Sequence, residues 1–252
     1  MPQEPRTLSL RWATRDQAPD GLPGIPTLQV WPEYNTHGET VGALWDRLFD
    51  LPDYQSVCWD EETGAVLAEA FVVPCWWDGT EAGLGPGIDA TMRDALERID
   101  RGDELNSLCA LSAEVAPESR GRGMAADALQ QMKRVAHRHG LGALIAPVRP
   151  SWKDRYPITP IEHYVTWRRA DGTLFDPWMR VHERLGASMG PPLPRSLHIT
   201  ATVAEWESWV DLQFPATGTY TFPRGLAPLD ADRQADRAEY WEPNVWFVHD
   251  VG

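Results

Sequence analysis

The chain has 252 residues, 42% of them hydrophobic, including 13 Trp; 23 Lys+Arg against 37 Asp+Glu give a formal net charge of −14. That length is enough to bury one substantial core, and the acidic balance argues against nucleic acid as a partner. Every apolar run is broken by charge or Pro well before the ~20 residues of a membrane span, so no membrane partner is expected.

In chain order, MPQEPRTLSLRWATRDQ lacks the basic-then-apolar order of a signal peptide, and residues 6–13 alternate like an opening strand. Residues 21–26 are a Pro- and Gly-rich loop. Over 38–49, Val41, Leu44, Leu48 and Phe49 fall on one helical face. Residues 55–77 read as a hairpin turning at Glu61-Glu62-Thr63-Gly64. A loop at 83–87 leads into a helix over 88–100 with Asp89 and Thr91 as cap candidates. A strand over 107–115 is followed by a helix over 124–139 with Ala125, Leu129, Met132 and Ala136 inward. Residues 141–148 are another short apolar strand. Beyond Pro150 the chain turns Trp- and Pro-rich; 196–210 suggests a strand running into a helical turn, and 244–251 a closing strand. The expected fold class is mixed α/β, a central twisted sheet flanked by helices, in a single domain over 1–252. Cys58, Cys75 and Cys109 form no CxxC and have no His at ligand spacing, which predicts buried thiols in a reducing cytoplasm and no metal.

VAPESRGRGMAADALQQM (115–132) concentrates Gly and Arg where a strand gives way to a helix. Glycines let the backbone approach an anion closely, several N–H groups then point outward together, and the helix dipole adds positive potential. The stretch is neither a P-loop nor GxGxxG. It matches Arg/Gln-x-x-Gly-x-Gly/Ala through Arg120, Gly123 and Ala125, and so resembles the acetyl-CoA-binding motif of the GNAT acyltransferase superfamily. The resemblance implies the GNAT fold, a CoA-binding motif region over 107–139, and acyl-CoA as the substrate that brings the acyl group. It implies that the loop amides around Val115, Arg120, Gly121, Arg122, Gly123, Met124 and Ala125 hold the CoA pyrophosphate. Lys133, Arg134, His137, Arg138 and His139 on the same helix either attract the 3′-phosphate or form a solvated helix end.

Where GNAT enzymes carry a tyrosine near the CoA sulfur, VHERLGA (181–187) puts His182. Near neutral pH an imidazole both takes and returns a proton, whereas a phenol mainly donates. The FDPWMRVHERLGA stretch, together with the variant C-terminal half (149–252), is similar to the GNAT-like domains of polyketide-synthase loading modules. That resemblance implies decarboxylation of a malonyl-type CoA thioester and acyl transfer to the phosphopantetheine thiol of an acyl carrier protein. It implies a catalytic histidine, His182; a hydroxyl, Ser151 or Thr159; a Trp, taken as Trp76 or Trp77; and an Arg on the carboxylate, Arg195. Arg149, Lys153, Arg155, Arg168 and Arg169 would form a basic docking patch or be dispersed surface charges.

Two other readings stay open. A conventional N-acetyltransferase would move acetyl from acetyl-CoA to a small-molecule amine, with Glu114 at the end of the motif strand as base or merely a solvated strand-end charge. A non-catalytic module would bind CoA or a carrier protein and use its Trp-rich half as an interface.

Overall fold

The computed structural model describes residues 9–252. The first strand, β1 (Leu10–Thr14), covers the end of the expected 6–13 run, whose residues 6–8 lie outside the described residues. A short α1 (Thr27–Val30) and a 3-10 turn (Glu33–His37) lead to α2 (Val41–Leu44), which tightens into a 3-10 stretch over Trp45–Asp50. This corrects the single helix expected over 38–49. Three residues per turn put Trp45 and Leu48 on one side, so Leu48 is buried while Phe49 is exposed. The hairpin forms as expected, β2 (Ser56–Asp60) and β3 (Val66–Cys75), with Gly64 at φ +70° in its turn.

α3 (Ile88–Arg101) is not capped by Asp89 or Thr91. Its N-cap is Gly87, and the cap donor Ile88 N–H is taken by the Ser196 hydroxyl at 3.0 Å. Asp89 instead accepts the His198 N–H, and the Thr91 hydroxyl donates back to the Gly87 carbonyl. β4 (Ser107–Val115) and α4 (Met124–Arg138) follow. α4 buries Leu129, Met132 and Ala136 as expected, but Ala125 stays half-exposed beside the loop. Next come β5 (Ala143–Val148), α5 (Ile161–Tyr164), α6 (Pro177–Arg184), β6 (Ser188–Ala201), α7 (Val203–Val210), β7 (Gly218–Tyr220), β8 (Leu229–Asp232) and β9 (Arg237–Asp250).

These strands build one mixed sheet in the order β1-β2-β3-β4-β5-β9-β8-β7, with β6 along the other edge of β9. β4 and β5 run parallel, and every other described pair is antiparallel. One face packs on α3 and α7 through a core that includes Cys109, Ile145, Trp206 and Trp246. The other packs on α4 through Ala70, Leu108, Ala128, Leu129 and Leu144. Tyr34, Trp206, Phe222 and Tyr240 interlock in the first core with ring centroids between 5.1 and 5.9 Å, Tyr34 stacked on Trp206 and the other pairs edge-on. All three cysteines are free and buried, and burial pushes the Cys58 and Cys75 thiols up to about 12. No described helix is long and apolar enough to cross a membrane.

α6 explains the FDPW sequence in local terms. Asp176 is its N-cap and accepts from the Trp178 and Met179 N–H groups, with Pro177 at the first helical position. The same buried carboxylate accepts from the Ser151 and Trp152 N–H groups and from the Tyr164 hydroxyl, so it joins α6 to the β5 exit and to α5. Asp176→Ala is therefore expected to lower stability by about 3 kcal/mol, since it strands several buried donors at once. Denaturant midpoints check this, and Asp176→Asn, which keeps an acceptor oxygen, should lose less.

Candidate functional site

β4 and β5 pair only at Ser107↔Ala143, Leu108↔Leu144 and Cys109↔Ile145. Beyond these positions the strands part. Into the gap opens a cavity of about 1310 Å³ whose wall includes Ala110 to Val115 on one side and Ala146 to Arg149 on the other. A bulge shapes the β4 wall, because Phe71 pairs with Ser112 but Val72 with Ala110, which leaves Leu111 as an extra residue. The bulge resets the alternation. Ser112 and Glu114 then share the face of Phe71, while Ala113 and Val115 point towards α4.

On the α4 side the cavity meets the turn from β4 into α4. Gly121 and Gly123 sit at φ +78° and +86°, the left-handed region open to glycine. No side chain caps α4. Among the described residues, the N–H groups of Gly121 through Ala125 donate to no protein acceptor, the first inward turn being Ala126 N–H to the Gly123 carbonyl. Such a run of unspent donors at a helix start is suited to an anion. Val115, Arg120, Gly121, Gly123, Met124 and Ala125 line the cavity, whereas Arg122 does not. Arg120 also donates to the Gln29 carbonyl at 3.0 Å and so ties the loop to α1. Lys133, Arg134, His137, Arg138 and His139 lie outside the lining, with Arg138 donating to Thr14 and His139 stacked on Tyr54.

The same face carries His182, on α6, only 1% exposed and packed between Trp178 and Phe247. Its Nδ1 lies 2.9 Å from Nε2 of His249 on β9, so the two rings share one proton between them. Nε2 of His182 and Nδ1 of His249 have no partner. Burial, then the neighbouring imidazole, holds His182 well below the usual histidine range; burial and the Lys133 ammonium lower His249 to about 4. Both rings are neutral near pH 7.

Glu114 approaches from the opposite face. Its Oε1 accepts from Trp31 Nε1 at 2.9 Å and from the Ser112 hydroxyl at 3.0 Å. Burial raises its carboxyl above the ordinary value, the two hydrogen bonds oppose the rise, and the charge of Glu69 adds to it. Glu69, its cross-strand neighbour, is tied to Arg15 and to the Ile25 N–H. Glu114, Thr27 and Trp45 also border a second chamber of about 420 Å³, walled by Phe49, Phe71, Gln55 and Glu69.

Of the other expected residues, Ser151 lines the cavity, its hydroxyl 3.4 Å from Asp176. Thr159 lies outside the lining, in a turn closed by its own N–H on the Tyr156 carbonyl. Arg195 is exposed on β6 with its guanidinium 5.5 Å from the centre of the Trp241 ring, away from the cavity. Trp76 and Trp77 are also absent from the wall, and the Trp residues that line it are Trp31, Trp45 and Trp178. Of the five basic residues suggested for docking, Arg149 and Lys153 are committed inside the protein, and Arg168 donates to the Val165 and Trp167 carbonyls. Arg149 is ion-paired with Glu242 at 3.0 Å inside the cavity, and Lys153 is buried, donating to the Tyr156 and Leu226 carbonyls. Arg155 stacks on Trp152, and Arg169 pairs with Asp171. Sequence reasoning missed His249, Trp31 and Ser112: strand pairing places His249, the bulge turns Ser112, and the end of α1 brings Trp31 to Glu114.

No family model matches the chain. Arginine N-acetyltransferase avaD of Aspergillus versicolor is 30% identical over 256 residues, covering 91% of this chain and 88% of that protein. Two solved structures share the fold over nearly their whole length. One is the loading GNATL domain of CurA from Lyngbya majuscula, at TM-score 0.55 and 14% identity, covering 98% of each chain. The other is the GphF GNAT-like decarboxylase in complex with isobutyryl-CoA, at TM-score 0.55 and 17% identity, covering 96% of this chain and 99% of that one. With the parted parallel strands and the glycine turn into α4, these likenesses place the protein: the chain belongs to the GNAT superfamily of acyltransferases.

Proposed function

We propose that the protein is an N-acyltransferase that moves acetyl from acetyl-CoA to the amine of a small, arginine-like acceptor, with Glu114 as the general base. The observation that carries this reading is the position of Glu114. It is a buried carboxylate with a raised pKa, on the cavity wall and on the face of the sheet opposite His182. The acyl-CoA would enter on the α4 side, its pyrophosphate on the amides of 121–125, and present its thioester between the parted strands. The acceptor would enter from the second chamber. An alkyl ammonium there must first lose a proton, and Glu114 Oε2, which no described donor reaches, is the acceptor for it. The free amine attacks the thioester carbon and the carbonyl oxygen takes up negative charge; the carbonyl then re-forms as the C–S bond breaks, and the departing CoA thiolate takes up the proton that the newly acylated nitrogen gives up. A neutral His182 N–H would stabilise the oxygen or the departing sulfur without giving up its proton. The sequence similarity to an arginine N-acetyltransferase supports the acceptor class.

A second reading keeps the same donor site and changes the chemistry: loss of CO₂ from a malonyl-type thioester, then acyl transfer to a carrier-protein thiol. It is favoured by the apolar setting of His182 between Trp178 and Phe247, which would disfavour a solvated carboxylate. Against it, Arg195, the arginine expected for the malonyl carboxylate, lies outside the lining. Mass spectrometry separates the two. With acetyl-CoA and L-arginine, the first reading expects acetyl-arginine and free CoA. Release of CO₂ from malonyl-CoA, with acyl transfer to a carrier thiol and none to arginine, would establish the second.

A further inference from the structure

The two carboxylate oxygens of Glu114 are in unequal settings. Oε1 accepts from Trp31 Nε1 at 2.9 Å and from the Ser112 hydroxyl at 3.0 Å, which takes both of its lone pairs. Among the described residues no donor reaches Oε2. Nor is Oε2 one of the buried atoms that lack a partner, so the small exposed part of this residue includes it. An indole N–H only donates, so the Trp31 contact has one reading whatever the charge on Glu114. In the ionised group Oε1 is the occupied oxygen and Oε2 the open one. In the neutral acid the proton belongs on Oε2, because on Oε1 it would meet the Trp31 N–H. The exchangeable proton comes and goes at a single atom.

Trp31 is itself held by the chain before it. Its own N–H closes on the Thr27 carbonyl at 2.9 Å. The carbonyls of the two preceding residues are both claimed, Gln29 by Arg120 at 3.0 Å and Val30 by Arg224 at 2.8 Å. At the other end of this segment the Ile25 N–H donates to Glu69, the strand partner of Glu114. Residues 25–31 therefore span two neighbouring carboxylates, and Arg120 fastens the span to the glycine turn.

We propose that Trp31 is a positioning residue for Glu114: with Ser112 it claims Oε1, so that Oε2 is the atom that takes the proton from the acceptor amine, and α1 ties this orientation to the glycine turn. The consequence for catalysis rests on the N-acyltransfer reading, whereas the orientation is a property of the protein without substrate. The same hydrogen bond bears on when the base is ready. Burial raises the Glu114 carboxyl, and the Trp31 donor works against that rise. A donor favours the charged form of a carboxyl, so removing it lets the pKa climb further. The other groups bearing on Glu114 are the Ser112 hydroxyl on its own strand and Glu69 on β3, which is held by Arg15.

The test is the titration of Glu114 in the full chain labelled with ¹³C-glutamate, its signal assigned by its loss in Glu114→Gln, together with the pH profile of kcat/KM for L-arginine. Trp31→Phe should raise the carboxyl by about one pH unit, the scale of one hydrogen bond to a charged group. The rate limb should move up with it, which at a pH below the limb reads as a roughly tenfold loss of kcat/KM. Ser112→Ala should move the carboxyl in the same direction, and both changes together should move it further than either. If the Phe variant does not fold, Trp31→3-benzothienylalanine, which keeps two fused rings and lacks the N–H, takes its place. A carboxyl that titrates within a few tenths of a unit of the parent, or a rate that falls equally at every pH, overturns the proposal. A carboxyl that rises while no amine is acylated supports the orientation and overturns the N-acyltransfer reading.

Discussion

Glu114→Gln should reduce kcat/KM for the amine acceptor by about 10² to 10⁴-fold, the range a positioned general base contributes, while acyl-CoA binding stays near that of the parent. The amide keeps the shape and can still accept from Trp31 and Ser112, so the loss isolates the proton transfer. The pH dependence gives the sharper signature. A base works deprotonated, and burial with the charge of Glu69 raises this carboxyl. The parent rate should therefore rise with pH through that raised value, and the limb should vanish in Glu114→Gln. Trp31, Ser112 and Glu69 are the polar groups around it, and Glu69 is itself held by Arg15 and the Ile25 N–H. An unchanged limb in the variant, or an unchanged rate, would remove Glu114 from the mechanism.

His182→Ala should lower kcat by about 10² to 10³-fold, the cost of one preorganised donor to a developing oxyanion, with CoA affinity measured by calorimetry close to the parent's. Its pH signature should be the reverse of that of Glu114. Burial and His249 keep the ring neutral across the working range, so removing it lowers the whole profile without deleting a limb near neutrality. The variant should also lose about 1 to 3 kcal/mol of stability, because the His249 Nε2 is left without its partner in a buried site. Wild-type turnover in a folded His182→Ala protein would leave His182 with a packing role.

The sequence made the donor half of the site legible because its geometry is local. Strand, glycine turn and helix are contiguous from Ser107 to Arg138, and an anion cradle needs little beyond backbone. His182 was singled out through its register in the FDPW stretch, whose Asp and Pro are themselves a helix-start signal. His249 was not, since 67 residues separate it from His182 and only the pairing of β9 with β5 brings it under α6. The length of β6 was obscured by Pro191, Pro192 and Pro194, which read as loop; they are tolerated because β6 pairs with β9 alone, with register shifts on either side of Pro192 and Leu193. The helix expected through Phe49 failed because an apolar 3.6-residue pattern does not reveal tightening into 3-10 turns. The docking role suggested for Lys153 failed for a related reason: charge in a sequence does not say whether two backbone carbonyls have already claimed it.

The parting of β4 from β5 has an evolutionary consequence. It lets a single sheet serve as a partition, with the glycine turn and the histidine pair behind it and Glu114 with the aromatic chamber in front. On the proposed function, substitutions at Trp45, Phe49 or Gln55 would redraw which molecule is modified while the glycine turn on the other side is untouched. On that reading, a lineage carrying this chain would diversify its acceptors by drift on one wall, under purifying pressure on the other.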